Sequence, residues 1–141
     1  MEREFDRARR YRRHLSLIML DLDHFKTIND TYGHDVGDRV LQETAALIQR
    51  VMRKHDVLVR WGGEEFVVLC VETPVSEAYN LSERLLEGLR QRVFPVVGQI
   101  TASFGVVEYE GDESTKQLFK RLDTALYAAK TKGRNRIECM V

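Results

Sequence analysis

Residues 60–66 read RWGGEEF and stand between two apolar runs, VLV at 57–59 and FVVLCV at 66–71. Apolar runs joined through Gly-Gly predict a β-hairpin with a two-residue turn, because such turns need a positive φ that glycine adopts without a Cβ clash. The second strand opens on two adjacent carboxylates, Glu64 and Glu65. Neighbouring strand residues face opposite sides of a sheet, so one of the two points at whatever lies beside the turn. By themselves these residues are also typical of a solvated hairpin tip.

A second group of carboxylates follows the apolar run LSLIML at 15–20, which is typical of a central strand covered on both faces. Asp21 and Asp23 share one face of that strand, with Leu22 on the other. Carboxylates at the end of a buried strand are costly unless they meet a cation. The pattern therefore indicates a cation near Asp21, although helix-entry capping explains a single aspartate equally well.

The helix that follows begins at the segment DHFKTIND, residues 23–30. Asp23 is a natural N-cap for it. The backbone N–H groups of His24, Phe25 and Lys26 would then be unpaired and would form a ready anion site.

Composition limits the classes of function. The chain has 141 residues, 43% of them hydrophobic, with 22 Lys and Arg balancing 22 Asp and Glu. Zero net charge argues against a partner such as nucleic acid held by bulk electrostatics. Cys70 and Cys139 have no metal-type spacing, no apolar run is long enough to span a membrane, and the first residues lack the apolar core of a secretion signal. We expect one cytoplasmic domain over residues 1–141, without membrane contact.

The remaining periodicities predict an α+β fold. After the initial helix of residues 2–13, the predicted order is β-α-α-β-β-α-β-α-β, a mixed sheet with helices packed on it. Amphipathic helices are expected at about 76–93 and 114–132, the latter followed by Gly133 as its C′ residue. A strand within 96–109 is expected to be interrupted at Gly105, and a closing strand at 137–141.

Four blocks in this order resemble the GGDEF domain family, the diguanylate cyclases. They are DLDHFKTIND at 21–30, GHDVGD at 33–38, GGEEF at 62–66 and ALYAAKTKGRNR at 125–136. The resemblance spans nearly the whole chain. It implies a mixed, mainly antiparallel central sheet flanked by helices, similar to the palm of nucleotidyl cyclases and polymerases. It also implies a reaction that joins two GTP into cyclic di-GMP with loss of two pyrophosphates, each GTP held by one subunit of a homodimer.

The resemblance assigns metal and catalytic roles. Asp21, the carbonyl of Leu22 and Glu64 would hold two Mg²⁺ ions per half-site, with Mn²⁺ as an alternative metal. Such ions neutralise phosphate charge and acidify a hydroxyl, and Mg²⁺ prefers carboxylate and phosphate oxygens. Glu64 or Glu65 would accept the proton from the attacking 3′-hydroxyl, and we favour Glu64.

Substrate-binding roles are also carried over from the family. Asn29 and Asp38 occupy its guanine-binding positions, although an Asx turn and a helix N-cap are alternative explanations. Lys130 and Arg134 occupy its phosphate-binding positions, where complementing a helix dipole is the alternative. Lys26 would add its side chain to the backbone anion site formed with His24 and Phe25.

A product-inhibition site is implied by Arg53 and Asp56, an Arg-x-x-Asp motif placed five residues before the Gly-Gly pair as in the family. Arginine and carboxylate suit the edges of guanine. Arg84 occupies the position of an additional arginine. The alternative is a helix-end arginine and a strand-start aspartate with structural roles only.

The chain also departs from the family pattern. The Asp-x-Leu-Thr-Gly-Leu segment that usually precedes the first helix is absent, so we expect a shortened domain or an excised fragment that normally follows an upstream sensor or regulatory domain. Two other functions stay open. One is a catalytically weak module that binds cyclic di-GMP or GTP, and the other is a different palm-type nucleotidyltransferase.

Overall fold

The computed structural model describes residues 1–140, which form five helices and five strands. The helices are α1 (Glu2–Tyr11), α2 (Phe25–Tyr32), α3 (His34–Val51), α4 (Val75–Gln91) and α5 (Thr115–Thr131). The strands are β1 (Leu15–Leu22), β2 (Val57–Arg60), β3 (Glu65–Val71), β4 (Ala102–Glu108) and β5 (Arg136–Cys139). Within residues 1–140, no helix combines the length and the apolar composition that crossing a membrane requires.

The strands form one sheet in the order β2-β3-β1-β4-β5. All pairs are antiparallel except β4 with β5, which is parallel. β1 is central and all eight of its residues are buried, as the apolar run predicted. The predicted α+β class, with a mixed and mainly antiparallel sheet flanked by helices, is confirmed.

Helices cover both faces of the sheet. Strand residues alternate in direction, so each strand contributes to two cores. One core lies between the sheet and the helices α2, α3 and α4, through Phe25, Ile28, Val40, Ile48, Leu81 and Leu85. The other lies between the sheet and the helices α1 and α5, through Phe5, Ala8, Leu118, Leu122 and Leu126.

The hairpin between β2 and β3 was predicted correctly, but its turn type was wrong. Four residues, 61–64, connect the strands, and neither Gly62 nor Gly63 has a positive φ. The backbone N–H groups of Trp61 and Gly62 both donate to the carbonyl of Glu65. Gly62 instead provides space, because a Cβ there would lie 2.9 Å from a carboxylate oxygen of Glu65 and that flexible side chain would have to shift.

The interruption expected at Gly105 is also wrong. Gly105 continues β4 and pairs with Met19 of β1 and Glu138 of β5. A Cβ at Gly105 would lie 2.7 Å from the backbone nitrogen of Leu126, so the glycine lets α5 pack directly on the strand. The closing strand ends at Cys139, and the last residue of the predicted segment, Val141, lies outside the described residues.

Candidate functional site

Antiparallel pairing of β1 with β3 brings the two groups of predicted carboxylates together. Asp21 is the direct cross-strand partner of Glu65, and the N–H of Leu22 donates to the carbonyl of Glu64 at 3.3 Å. Cross-strand neighbours of this kind have Cβ atoms about 5 Å apart. The end of β1 and the signature turn of residues 61–64 therefore form one acidic site.

Two carboxylates of this site lie on one face of the sheet, and the third lies in the turn beside them. Leu17 and Met19 belong to the core beneath α5, so strand alternation places Asp21 on that face together with its partner Glu65. Glu64 instead lines a cleft against α2 and α3. Both glutamates were expected to open the second strand, but β3 begins at Glu65 and Glu64 lies in the turn, so strand alternation does not apply to Glu64.

The acidic site carries more negative charge than its protein partners neutralise. Asp21 is 6% exposed, and burial raises its pKa against the opposing effect of Lys130, whose Nζ donates to Oδ2 at 2.5 Å. The charges of Glu64 and Asp23 raise the pKa further. Burial also raises the pKa of Glu65, and the charge of Asp21 adds to this effect. Such a site favours the approach of a cation.

The donor set fits a hard divalent cation. Within residues 1–140, no three His, Cys, Asp or Glu side chains are arranged to hold a metal by themselves. The predicted ligands are only two carboxylates, Asp21 and Glu64, with the carbonyl of Leu22. Magnesium sites of this type take their remaining ligands from water and from the phosphates of the substrate. The residues present therefore suit Mg²⁺ bound together with a nucleotide.

A cleft of about 370 Å³ opens beside the signature turn, between it and the helices α2 and α3. Its lining includes the residues predicted to recognise guanine and two of the residues predicted to bind phosphate. The lining consists of Phe25, Lys26, Asn29, Asp38, Leu41, Arg60, Gly63 and Glu64. The acidic site thus meets the candidate base-binding residues in one place.

Asn29, which lines this cleft, has an unpaired side-chain oxygen. Its Oδ1 is buried and has no hydrogen-bond partner within residues 1–140. Gly37 of α3 makes room for it, because a Cβ at Gly37 would lie 1.8 Å from that oxygen. Buried polar atoms are rarely left unpaired, so this one indicates a missing ligand atom or water.

The predicted role of Asp23 as an N-cap is wrong. The helix α2 begins at Phe25, and the residue before it, His24, has a left-handed backbone with φ 59° and makes no side-chain cap. Asp23 is buried and instead accepts hydrogen bonds from the hydroxyls of Thr101 and Ser103 and from the backbone N–H of Asn135. It joins the end of β1 to β4 and to the segment after α5. The backbone anion site expected at His24, Phe25 and Lys26 stays a prediction.

The two predicted phosphate ligands have different surroundings. Lys130 is in the last turn of α5 and contacts Asp21, so it is a partner of the carboxylate in this structure. Arg134 lies beyond the helix, is exposed, and has a left-handed backbone with φ 61°. The position of Lys130 indicates that it can serve both the carboxylate and a phosphate.

Contacts of the signature turn were missed by the sequence interpretation. The Arg60 guanidinium donates to the carbonyls of Gly62 and Gly63 and lies over the ring of Phe66. Trp61 stacks on Phe119 of α5 with ring centroids 4.5 Å apart and planes 4° apart. These contacts hold the turn against both β3 and α5. The hydrogen bonds of Arg60 are with residues only two and three positions away, so its place beside the glycines was a signal for them. Nothing in the sequence pairs Trp61 with Phe119.

The residues of the predicted product site border a second cavity of about 470 Å³. Arg53, His55 and Asp56 line it together with Arg3 and Arg7 of α1. Asp56 is 7% exposed and already accepts from the backbone N–H groups of Arg53 and Val71, so it also has a structural role. Arg84 is exposed on α4 and does not line this cavity.

Comparisons with known proteins agree with this geometry. The family described as "Diguanylate cyclase, GGDEF domain" matches residues 1–136. Diguanylate cyclase DgcM of Escherichia coli K12 is 46% identical over 122 residues, which is 86% of this chain and 30% of that protein. The chain therefore spans about a third of the length of this curated relative.

Solved structures show the same fold. The active GGEEF domain of a diguanylate cyclase from Vibrio cholerae has a TM-score of 0.91 at 40% identity, covering 97% of this chain and 89% of that one. The GGDEF domain of DgcB from Caulobacter crescentus, solved in complex with c-di-GMP, has a TM-score of 0.92 at 34% identity, covering 97% and 84%. With the family match over residues 1–136, these findings show that the chain belongs to the diguanylate cyclase GGDEF domain family.

Proposed function

We propose that this chain is the catalytic domain of a diguanylate cyclase, which condenses two GTP into cyclic di-GMP and two pyrophosphates. The observation that carries the proposal is the meeting of the acidic site at Asp21, Glu64 and Glu65 with the cleft that contains Asn29 and Asp38. A base-binding cleft beside a metal-compatible carboxylate cluster suits nucleotidyl transfer, because the base orients the nucleotide whose phosphates meet the metal.

In the proposed reaction each 3′-oxygen forms a bond to the α-phosphorus of the opposite GTP, and the bond from that phosphorus to pyrophosphate breaks. Asp21, the carbonyl of Leu22 and Glu64 would hold Mg²⁺, which when bound supplies phosphate neutralisation and a more acidic 3′-hydroxyl. Glu64 accepts the hydroxyl proton on a carboxylate oxygen, with Glu65 as the alternative acceptor. One chain holds one GTP, so the reaction requires a homodimer.

Substrate contacts in this proposal come from three segments. Asn29 and Asp38 bind the Watson–Crick edge of guanine, whose N1–H and N2–H₂ donors suit an amide and a carboxylate. Lys26, Lys130 and Arg134 bind the phosphates. Adenine would leave these polar groups unpaired, which costs roughly 1–3 kcal/mol for each group.

The test is incubation of the purified chain with Mg²⁺ and GTP, and separately with ATP, followed by chromatographic separation of the nucleotides. We expect cyclic di-GMP from GTP, no cyclic product from ATP, and a specific activity that rises with protein concentration until the dimer is saturated. Binding of GTP or cyclic di-GMP without turnover would identify a signalling module instead. Consumption of ATP would identify a different palm-type nucleotidyltransferase.

We also propose feedback inhibition by cyclic di-GMP at Arg53 and Asp56, with Arg84 as an additional contact. Replacing Arg53 by alanine is expected to raise the cyclic di-GMP concentration that halves the initial rate about tenfold, because a charge-assisted hydrogen bond is worth about 1.5–3 kcal/mol. The measurement is the initial rate against added cyclic di-GMP. Lys54→Ala, an exposed neighbour that does not line the cavity, is the control and should leave inhibition unchanged. Equally tight inhibition of the Arg53 variant would refute the site.

A further inference from the structure

The segment that follows α5 has an unusual backbone. Three consecutive residues have a positive φ, namely Gly133 at 122°, Arg134 at 61° and Asn135 at 50°. Glycine adopts such values freely, but a run that includes two other residues persists only where its surroundings hold it. Strain of this kind concentrates at ligand clamps and active sites, so the contacts that hold the run are informative.

Asn135 is held from two sides. On one side its N–H donates to Oδ2 of the buried Asp23 at 3.0 Å, at the end of β1. On the other side the guanidinium of Arg90, from α4, donates to the side-chain Oδ1 at 3.0 Å and to the backbone carbonyl at 3.1 Å. Both polar atoms of the Asn135 backbone and the side-chain oxygen are therefore engaged by elements distant in sequence. We call Asp23, Arg90 and Asn135 the clamp.

The clamp determines the position of Arg134. The N–H of Arg134 donates to the carbonyl of Ala129 at 3.0 Å, so its backbone is fixed to α5 as well. Its side chain is exposed and makes no hydrogen bond or ion pair within residues 1–140. Because Asp23 follows Asp21 by two residues, the clamp ties the backbone of Arg134 to the strand that carries the acidic site. A fixed backbone thus carries an exposed guanidinium on the segment that is hydrogen-bonded to the end of that strand.

We propose that Arg90 and Asn135 are positioning residues that hold Arg134 for contact with the β- and γ-phosphates of the nucleotide. The inference rests on the proposed function, because it takes the nucleotide to be GTP bound at the acidic site. A guanidinium on a preset backbone loses less conformational freedom when it binds a phosphate than one on a mobile segment. Loosening the clamp should therefore weaken triphosphate binding and leave base recognition intact.

The experiment measures equilibrium binding, by calorimetry with Mg²⁺, of two non-reacting probes. One is the α,β-methylene analogue of GTP, which cannot release pyrophosphate, and the other is GMP, which lacks the β- and γ-phosphates. We expect Arg90→Ala to weaken binding of the analogue about fivefold and to leave GMP binding unchanged. Arg90→Lys, which keeps the charge but offers one donor nitrogen in place of two, should restore part of the loss. Arg50→Ala, an exposed arginine of α3, is the control.

A double-mutant cycle separates this inference from the proposed function. If Arg90 acts through Arg134, Arg90→Ala should have no further effect on analogue binding in an Arg134→Ala background. Three results would overturn the proposed role of the clamp. These are additive losses of analogue affinity in the double mutant, an equal loss of GMP affinity, and a lower melting temperature with normal analogue binding. Asn135→Gly should also weaken binding of the analogue, because glycine adopts the same positive φ but lacks the side-chain acceptor. Normal analogue binding by both clamp variants would overturn the inference.

Failure of the clamp inference and failure of the proposed function would give different results. If Arg134→Ala binds the analogue normally, the phosphate role of Arg134 and the clamp inference fall together, while synthesis of cyclic di-GMP by the unmodified chain would still support the proposed function. If the unmodified chain binds the analogue but forms no cyclic di-GMP, the proposed function fails and the cycle still decides whether the clamp operates.

Discussion

Replacing Asp21 by asparagine is expected to lower cyclic di-GMP synthesis about a thousandfold and to leave the melting temperature in metal-free buffer unchanged or higher. Loss of a metal ligand removes several kcal/mol of transition-state stabilisation, and about 1.4 kcal/mol corresponds to a tenfold change in rate. The expectation for stability follows from burial. Burial raises the pKa of Asp21, so near neutral pH its charged form is less compatible with the fold than a neutral group of the same shape.

Loss of the ion pair with Lys130 should not destabilise the fold. Lys130 loses its carboxylate partner, but its side chain is 33% exposed and can be solvated. The measurements are the initial rate with Mg²⁺ and GTP and a thermal melt with chelator present. Asp112→Asn, the same chemical change at an exposed loop position, is the control for both. Near-normal synthesis by the Asp21 variant would remove Asp21 from the catalytic site, and a large loss of melting temperature would show that its role is structural.

Much of the fold could be predicted because local pattern and tertiary structure agree in it. The continuous apolar run of β1 predicted a strand covered on both faces, and the amphipathic repeats of α4 and α5 predicted helices within two residues of their observed ends. The errors lie at positions where tertiary packing determines which residue type is required. Gly62 was interpreted through backbone freedom and Gly105 as an interruption of its strand, yet both provide space, for the Glu65 carboxylate and for α5. Sequence spacing does not show what will pack against a glycine.

The candidate site was predictable to a similar degree. Its carboxylates were expected to meet because β1 and the hairpin are adjacent, and the observed register pairs Asp21 with Glu65. The parts that were missed join distant segments of the chain. Asp23 was assigned to the helix that follows it, but its partners are Thr101, Ser103 and Asn135. A buried carboxylate takes the donors that the fold brings to it, and local capping preference does not identify them.

Replacing Gly37 by alanine is expected to lower kcat/KM for GTP about thirtyfold while the fold keeps its stability or gains some. The new Cβ would lie 1.8 Å from Oδ1 and 3.0 Å from Cγ of Asn29, so the amide must leave its position in the cleft. Only the end of the Asn29 side chain has to move far, and the Phe25 ring, 3.2 Å from the new Cβ, has to shift slightly. Alanine is favoured over glycine in a helix interior by about 1 kcal/mol, which offsets this cost. Each guanine group left unpaired costs roughly 1–3 kcal/mol, which gives the expected loss.

Gly88→Ala is the matched control, because it makes the same change within α4, where the atom nearest the new Cβ belongs to Leu47 of the core, at 3.3 Å. It should leave GTP use unchanged. Measuring how strongly ATP inhibits GTP turnover adds a second criterion, since a displaced Asn29 weakens guanine binding and removes nothing that adenine uses. Normal GTP use by the Gly37 variant, with a melting curve that shows it folded, would mean that the buried oxygen of Asn29 has no part in base recognition. The cleft would then have to select its nucleotide through Asp38 alone.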